Sequence, residues 1–171
     1  YLRFNISAGE PKRFSEIMGV PEKYYYRVIE NIKKAISIKK EMGLDVTIGM
    51  QMVLQPAFND QILPLARLGR DLQPDYLVFK HCSDDIDGSL QVDYGGYNKL
   101  FDTLKEAESM SNGGYLVKAK WSKLKSEGKR CYERCYGPPF HVQLSGSGLV
   151  APCGGFFNEK YSRYHIGNFV E

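Results

Sequence analysis

The stretch DVTIGMQMVLQ, residues 45–55, alternates between apolar side chains and side chains that are mostly polar or small. All of its even-numbered residues are apolar, whereas Thr47, Gly49, Gln51 and Gln55 stand at odd positions. Because successive side chains of a β-strand point to opposite faces, this period of two predicts a strand with one apolar and one polar face. The apolar face is expected to pack against a core, and the polar face to border solvent or a site.

Three further segments are predicted to be strands, one before this stretch and two after it. LRFNIS, residues 2–7, alternates in the same way, and its apolar side consists of Leu2, Phe4 and Ile6. YLVFKHC, residues 76–82, and YLVKAKW, residues 115–121, contain the β-branched and aromatic residues that strands favour. The sequence therefore predicts four strands.

Helical segments separate these strands. The first is predicted to end at Gly19. The other three are predicted to run from Pro21 to Gly43, from Asn59 to about Leu72 and from Tyr94 to about Ser109. Gly43 is the predicted C-cap of the second helix, and Asn59 is the predicted N-cap of the third. Strands that alternate with helices at this spacing specify βαβ units, and hence a parallel sheet that is open or curled into part of a barrel.

The polar sides of the strands are expected to meet on one face of the sheet. In a barrel of parallel strands the outward side chains contact helices, and the inward ones fill the core or, near the carboxyl ends, the active site. By this rule the inward polar side chains are Arg3, Asn5, Ser7, Gln51, Gln55 and Lys80. Because an unpaired buried polar group costs about 1–3 kcal/mol, such an interior needs a polar ligand or a dense network of its own hydrogen bonds.

The composition excludes several classes of function. A net charge of +3 is too small for a nucleic-acid-binding surface, and the basic residues alternate with acidic ones. No apolar run approaches the roughly 18 residues that cross a membrane, and the first residues have no signal-peptide features. We therefore expect a cytoplasmic protein with neither nucleic acid nor membrane as partner, and with thiols that are free or bound to metal.

Three of the four cysteines lie in RCYERCYGPPFHVQLSGSGLVAPCGG, residues 130–155. The strand and helix periodicity fails after Trp121, which predicts a boundary near residue 122 and a second domain over residues 122–171. In this domain FHVQL and LVAPC are predicted to form a hairpin around the turn SGSG. A hairpin brings its base residues together, so Cys135 and Cys153 are expected to share one metal centre. Thiolates suit either zinc or an iron-sulfur cluster.

The spacing of this segment resembles a known module. Cys135, twelve residues, Gly148, four residues and Cys153 resemble the opening of the SPASM or twitch domain of radical S-adenosylmethionine (SAM) enzymes, and Gly167-Asn168 stands where that domain has a Gly-Asn. Upstream, LRFNISAGEP with EIMG resembles the fourth strand of the radical SAM barrel and the helix after it. VTIGMQMVLQ resembles the fifth strand, and YLVFK resembles the sixth.

This resemblance implies a fold for each part of the chain. Residues 1–121 are similar to the C-terminal half of a partial (β/α)6 TIM-like barrel with parallel strands. Residues 122–171 are similar to the beginning of a small β-hairpin metal-binding domain of the SPASM or twitch type. The order in which the motifs occur supports the resemblance more than any single strand motif does.

The resemblance also implies an oxidoreductase or maturase that uses SAM. Ser7 matches the serine of the family that contacts the SAM ribose. The residues expected to line the SAM site are Ser7, Asn5, Arg3, Gln51 and Lys80. The implied partners are a peptide or small-molecule substrate and an external electron donor such as flavodoxin or ferredoxin. For Lys80 the sequence leaves a second possibility open, an ion pair with Asp84 or Asp85.

An auxiliary [4Fe-4S] cluster is implied in the second domain, with Cys135 and Cys153 as ligands and Cys131 as a further candidate. Cys82 ends a strand and is expected to be a buried structural thiol. The family's C-x3-C-x2-C motif, which binds the SAM-coordinating cluster, is absent from this sequence, as are the later cysteines of a full SPASM domain. The chain is therefore expected to be a fragment that starts in the second half of the barrel, ends inside the auxiliary domain and is inactive by itself.

Two alternatives remain open on the residues alone. His141 and His165 make possible a structural zinc knuckle of three cysteines and one histidine, on a barrel fragment without radical chemistry. A metal-free binding domain is the other alternative, for which replacing Cys135 or Cys153 by serine leaves stability nearly unchanged. His81 stands on the helix-facing side of its strand and is expected to be structural.

Overall fold

Four parallel strands form the central sheet of the protein, whose computed structural model describes residues 1–85, 87–129 and 132–170. The strands are β1 (Leu2–Asn5), β2 (Ile48–Leu54), β3 (Tyr76–His81) and β4 (Leu116–Ala119). They lie side by side in chain order, and each neighbouring pair is parallel. The predicted parallel α/β sheet is therefore confirmed, with strands that are shorter at their ends than the sequence pattern indicates.

Helices follow the strands along the chain. They are α1 (Pro11–Met18), α2 (Lys23–Glu41), α3 (Ile62–Leu72), α4 (Phe101–Ser109) and the short α5 (Trp121–Leu124). Gly43 lies just beyond α2 with a φ of 59°, in the left-handed region that glycine adopts easily. Next to it, the Leu44 N–H donates to the Lys39 carbonyl at 3.0 Å, which satisfies a carbonyl that the helix leaves open. None of the helices in the described residues is long and apolar enough to span a membrane.

The prediction that Asn59 caps α3 is wrong. A 3-10 segment, Pro56–Gln61, precedes the helix, so the backbone already turns where Asn59 stands and α3 begins only after it. The side chain of Gln61, at the start of α3, makes no cap bond and instead accepts from the Gly9 N–H at 3.1 Å. A second 3-10 segment, Gly95–Leu100, occupies the first part of the predicted fourth helix.

One face of the sheet and the apolar sides of the helices form the hydrophobic core. β2 contributes side chains that are at most 2% exposed, namely Ile48, Met50, Met52 and Leu54. Burying one such side chain completely stabilises a fold by about 1.5–3 kcal/mol. The other strands contribute Ile6, Leu77, Phe79 and Val117, and the helices contribute Ile32, Leu65 and Leu104. Leu2, predicted to face the helices, is 43% exposed because it begins a strand at the edge of the sheet.

The chain forms two compact units. The first contains Tyr1–Ser83 and Val92–Gly128, and therefore the whole parallel sheet, whereas the second contains Asp84–Gln91 and Lys129–Glu171. In the second unit three short strands form an antiparallel sheet, and they are β5 (Gln143–Leu144), β6 (Leu149–Ala151) and β7 (Gly167–Asn168).

β5 and β6 form the hairpin that the sequence predicts. In its turn the Ser145 N–H donates to the Leu149 carbonyl at 2.9 Å, and Gly148 has a φ of 87°. A side chain on Gly148 would overlap Val170, and the Gly148 carbonyl accepts from the Phe169 N–H at 2.7 Å. Glycine is therefore required at this position both for its φ and for the close approach of the segment after β7.

Candidate functional site

The second face of the parallel sheet carries side chains in two rows that cross all four strands. One row consists of Asn5, Gln51, Val78 and Lys118. The other row consists of Arg3, Gly49, Tyr76 and Leu116. Because the strands are parallel and in this register, three of the predicted SAM-site residues, Arg3, Asn5 and Gln51, come together on β1 and β2.

Arg3 is the centre of a hydrogen-bond network on this face. Its Nε donates to the Tyr76 hydroxyl at 2.9 Å, and its Nη1 donates to Gln51 Oε1 at 3.2 Å. The Gln51 Nε2 in turn donates to Asn5 Oδ1 at 3.0 Å. The hydrogen bond with Tyr76 raises the pKa of Arg3 above its ordinary value. Arg3 and Asn5 are exposed, so their polar groups are within reach of a ligand.

Tyr76 lies across Gly49 of the neighbouring strand. A Cβ atom on Gly49 would overlap the Tyr76 ring, so the aromatic ring rests directly on the backbone of β2. The guanidinium carbon of Arg3 is 5.9 Å from the centroid of this ring, within the range of a cation–π contact. The sequence does not single out Tyr76, because a tyrosine at the first position of an apolar strand is typical of a core residue.

A cavity of about 450 Å³ opens on this face. Its lining consists of Arg3, Thr47, Gln51, Asp75, Tyr76, Val78, Leu116, Lys118 and Lys120. Tyr76, Val78 and Leu116 provide apolar surface, and the polar and charged groups surround it. A concave site with apolar surface and a few polar groups is typical of pockets for small molecules.

Ser7 and Lys80 stand near the carboxyl ends of β1 and β3, beyond the lining of this cavity. Both are half-buried. The Ile6 N–H donates to the Gln51 carbonyl at 2.9 Å, which extends the pairing of β1 with β2 up to the residue before Ser7. The predicted SAM-binding residues therefore divide into three that are linked by hydrogen bonds and two at the carboxyl edge of the sheet.

Tyr97 joins the carboxyl ends of β2 and β3. Its hydroxyl donates to the Leu54 carbonyl at 2.5 Å and accepts from the Cys82 N–H at 3.0 Å. Burial raises the pKa of Tyr97 to about 12. Cys82 is a buried thiol, and the buried His81 has its Nδ1 2.6 Å from the Cys82 carbonyl oxygen, in agreement with the structural roles expected for both. The hydrogen-bond partners of Tyr97 belong to other segments of the chain, so its local sequence does not indicate them.

The acidic loop of the second unit is held by its own carboxylates. Asp84 Oδ1 accepts from the Leu90 N–H at 3.0 Å, and Asp85 Oδ1 accepts from the Ser89 N–H at 2.9 Å. The pKa of Asp85 is lowered, first by the hydrogen bond from the Ser89 side chain and then by that from the Ser89 backbone. These bonds stabilise the charged form of Asp85 within the loop.

Two of the cysteines in the second unit, Cys135 and Cys153, are exposed thiols. Cys131, the third candidate ligand, lies outside the described residues. Within residues 1–85, 87–129 and 132–170, no three His, Cys, Asp or Glu side chains form a group able to hold a metal ion. The described residues therefore include two exposed cysteines that are candidate metal ligands, but not a complete ligand set.

The side chains of Cys135 and His141 both lie next to Gly137. A Cβ atom on Gly137 would be 3.4 Å from the Cys135 Sγ and 3.5 Å from the His141 Nδ1. The second histidine of this unit is engaged elsewhere, since the His165 Nε2 is 2.8 Å from the Phe156 carbonyl oxygen. His141 therefore lies close to a thiol, whereas the Nε2 of His165 contacts a backbone carbonyl oxygen.

Comparisons with known proteins bear on the fold alone. No family model and no curated protein matches the sequence. Among solved structures, the chain is similar to SuiB of Streptococcus suis, which was solved bound to S-adenosylmethionine. The identity is 14% and the TM-score is 0.59, and the match covers 92% of this chain and 37% of the SuiB chain. The fold is shared with a SAM-bound protein. This chain thus spans little more than a third of the length of SuiB.

Proposed function

We propose that this chain is part of a radical SAM enzyme and that the polar face of its parallel sheet binds SAM. The observation that carries the proposal is the hydrogen-bonded group of Arg3, Gln51 and Asn5 beside a cavity of about 450 Å³. The motifs on β1, β2 and β3 support it, as does the fold shared with the SAM-bound structure of SuiB.

Each proposed SAM-binding residue has a chemical role that suits it. Arg3 is a cation that pairs with the methionyl carboxylate of SAM, and Lys80 provides a second cation at the carboxyl edge of the sheet. The carboxamides of Asn5 and Gln51 offer both donors and acceptors to the adenine and the ribose, and Ser7 offers its hydroxyl to the ribose. Because Arg3 and Asn5 are exposed, exchanging their present hydrogen bonds for bonds to a ligand costs little free energy.

In the proposed enzyme, bound SAM supplies a 5′-deoxyadenosyl radical for hydrogen abstraction from a peptide or small-molecule substrate. The residues of this chain orient SAM and exclude water and oxygen from it. Tyr76 serves this exclusion, because its ring lies beside Arg3 and gives this part of the cavity an apolar surface. The SAM-coordinating cluster is proposed to be bound outside this chain, and an external flavodoxin or ferredoxin is proposed as the electron donor.

An auxiliary [4Fe-4S] cluster is proposed for residues 122–171, with Cys135 and Cys153 as ligands and Cys131 as a third candidate. Thiolates are the ligands that iron-sulfur clusters require. Exposure of the Cys135 and Cys153 thiols supports the proposal, because ligands must be accessible when a cluster is inserted. In this proposal residues 1–121 belong to a partial (β/α)6 barrel and residues 122–171 to a SPASM-type domain.

A structural zinc site is the second candidate function of this unit. It is favoured by one observation, the shared proximity of Cys135 and His141 to Gly137. A thiolate together with an imidazole suits zinc well. The two candidates differ in their need for His141, which a zinc site uses as a ligand and a cluster bound by cysteines does not.

Metal analysis of variants separates the two candidates. The chain is purified without oxygen, and its iron, acid-labile sulfide and zinc are measured together with its visible absorbance. An iron-sulfur cluster predicts iron that is lost in Cys135→Ser and Cys153→Ser and kept in His141→Ala. Zinc predicts colourless protein whose zinc is lost in all three variants. Cys82→Ala is the control that retains the metal in either case, because Cys82 is buried in the first unit. Protein without either metal contradicts both candidates.

A further inference from the structure

Three lysines stand together at one side of the polar face of the sheet. Lys118 is next to Val78 in the register of β3 and β4, and Lys80 follows Val78 by two residues on β3. The same register pairs Phe79 with Ala119, so Lys120 comes beside Lys80 where the two strands end. Neighbouring strands lie about 4.7–4.9 Å apart, and residues two apart on one strand are separated by about 6.6 Å, so the three lysines are neighbours on this face. The carboxyl ends of β3 and β4 therefore carry a cluster of like charges.

The positive charges of these lysines repel one another, so an anion that binds beside them is attracted by all three. No ion pair to Lys118 or Lys120 is present within the part of the chain that the structure describes. Among the described residues that line the cavity, Asp75 is the one with a carboxylate, and both of its oxygens accept from the Lys39 Nζ, at 2.6 and 2.7 Å. Asp75 is therefore engaged by a lysine from α2 and does not offset the lysines of β4.

SAM does not supply the missing negative charge. It carries a sulfonium and an ammonium against one carboxylate, so it is itself a cation. The residues proposed for it include Arg3 on β1, at the opposite edge of the sheet from β4. A cationic ligand that already has Arg3 and Lys80 beside it leaves the charges of Lys118 and Lys120 unbalanced. A second ligand that is negatively charged would complement these two lysines.

We propose that Lys118 and Lys120 bind the anionic group, a carboxylate or a phosphate, of a second ligand that occupies the cavity over β3 and β4. Both lysines line the cavity and are exposed, so their ammonium groups reach a ligand without breaking other bonds. Val78 and Leu116 lie between them and Tyr76, which gives the ligand an apolar part next to its anionic group. Identifying this ligand as the substrate rests on the proposed SAM function, whereas the anion site itself does not.

The test uses the 171-residue chain with isotope-labelled lysine, whose side-chain signals are followed by nuclear magnetic resonance. Inorganic phosphate and the dicarboxylate glutarate are titrated in separate experiments, so the two sources of negative charge are distinguished. Lys118→Gln and Lys120→Gln are compared with Lys34→Gln, which removes an exposed lysine from α2. We expect saturable shifts at Lys118 and Lys120 with at least one anion, and about tenfold weaker binding of it in either of their variants but not in Lys34→Gln.

Two results would overturn the proposal. Shifts at Lys118 and Lys120 that are no larger than those at Lys34 would mean that the anions bind lysines without selection. Weaker SAM binding in Lys118→Gln would assign these lysines to the SAM site instead of to a second ligand. Failure of the proposed SAM function gives a different pattern, in which the anion titration succeeds and SAM does not bind the wild-type chain at all.

Discussion

Replacing Gly49 by alanine tests the contact that builds the polar face, the Tyr76 ring resting on the backbone of β2. The added Cβ would overlap the ring, so the ring must move away and its hydrogen bond with Arg3 is lost. Overpacking of this kind costs about 1–3 kcal/mol, and the lost hydrogen bond adds about 0.5–1.5 kcal/mol. Alanine returns about 0.4–1 kcal/mol because it restricts the unfolded chain more than glycine does. The net expectation for Gly49→Ala is a loss of about 1–3 kcal/mol in the free energy of unfolding.

A double-mutant cycle with Tyr76→Ala isolates the contact. Without the ring, the methyl group of alanine at position 49 meets no obstacle, so Gly49→Ala becomes neutral or stabilising in that background. The expected coupling between the two sites is therefore about 1–3 kcal/mol, in the range measured for residues in direct contact. Gly113→Ala is the control, because a Cβ there has no atom within 4 Å and its φ is not in the left-handed region.

The assay is urea unfolding of the first unit, followed by the fluorescence of the single tryptophan, Trp121, and by circular dichroism. Gly113→Ala is expected to change the free energy of unfolding by less than about 0.5 kcal/mol. If Gly49→Ala destabilises the Tyr76→Ala variant as much as it destabilises the wild type, the ring does not lie on Gly49 and the reasoning fails.

Three further predictions concern Tyr97 and Asp75, two groups that hold the strands in place. Tyr97→Phe removes the hydroxyl that bonds the Leu54 carbonyl and the Cys82 N–H, but these two groups stay bonded to each other at 2.9 Å. We therefore expect a loss of only about 0.5–1.5 kcal/mol in urea unfolding at pH 7, and an unchanged midpoint would contradict a stabilising role of the hydroxyl. The pKa of Tyr97 is raised from 10.0 to about 12. Its contribution to stability is therefore complete below pH 10 and is lost as the pH rises through 12. In Tyr97→Phe, the free energy of unfolding should not show this decrease between pH 10 and 12. Desolvation is the largest single effect on Asp75, and it raises the pKa of this carboxyl group. The Lys39 ion pair and the Ile48 N–H together outweigh it, so the pKa of Asp75 is lowered overall. Asp75→Asn keeps an oxygen for the Ile48 N–H, so it is expected to lower the free energy of unfolding by at most about 1 kcal/mol. Asp75→Ala also loses this hydrogen bond and is expected to cost about 1 kcal/mol more. Equal losses in the two variants would show that the Ile48 hydrogen bond contributes nothing.

The part of the site that the sequence predicts follows from the two-residue period of strands. Arg3, Asn5 and Gln51 share a face because side chains of one parity point one way, and the parallel register then brings them into contact. The same period predicts that Lys118 and Lys120 lie on this face too, because they alternate with the apolar Val117 and Ala119. Parity alone thus identifies most of the polar face.

The remaining features depend on contacts between distant parts of the chain. Tyr76 belongs to the site because Gly49, on another strand, leaves room for its ring, and nothing local to either residue indicates this. The 3-10 segment before α3 replaces the predicted cap at Asn59, because the buried Gln61 bonds to the loop after β1 and not to its own helix. For the cysteines, spacing predicts that a hairpin separates two of them, but it does not fix which third ligand completes a metal site.

Binding of SAM to the 171-residue chain tests the central proposal most directly, and isothermal titration calorimetry gives its affinity. The side-chain amide signals of Asn5 and Gln51 in the magnetic resonance spectrum then locate the ligand. We predict saturable binding that shifts both signals, and binding that is about tenfold weaker in Arg3→Ala but unchanged in Lys34→Ala. Absence of binding, or binding that neither shifts these two amides nor depends on Arg3, would contradict a SAM site on the polar face of the sheet.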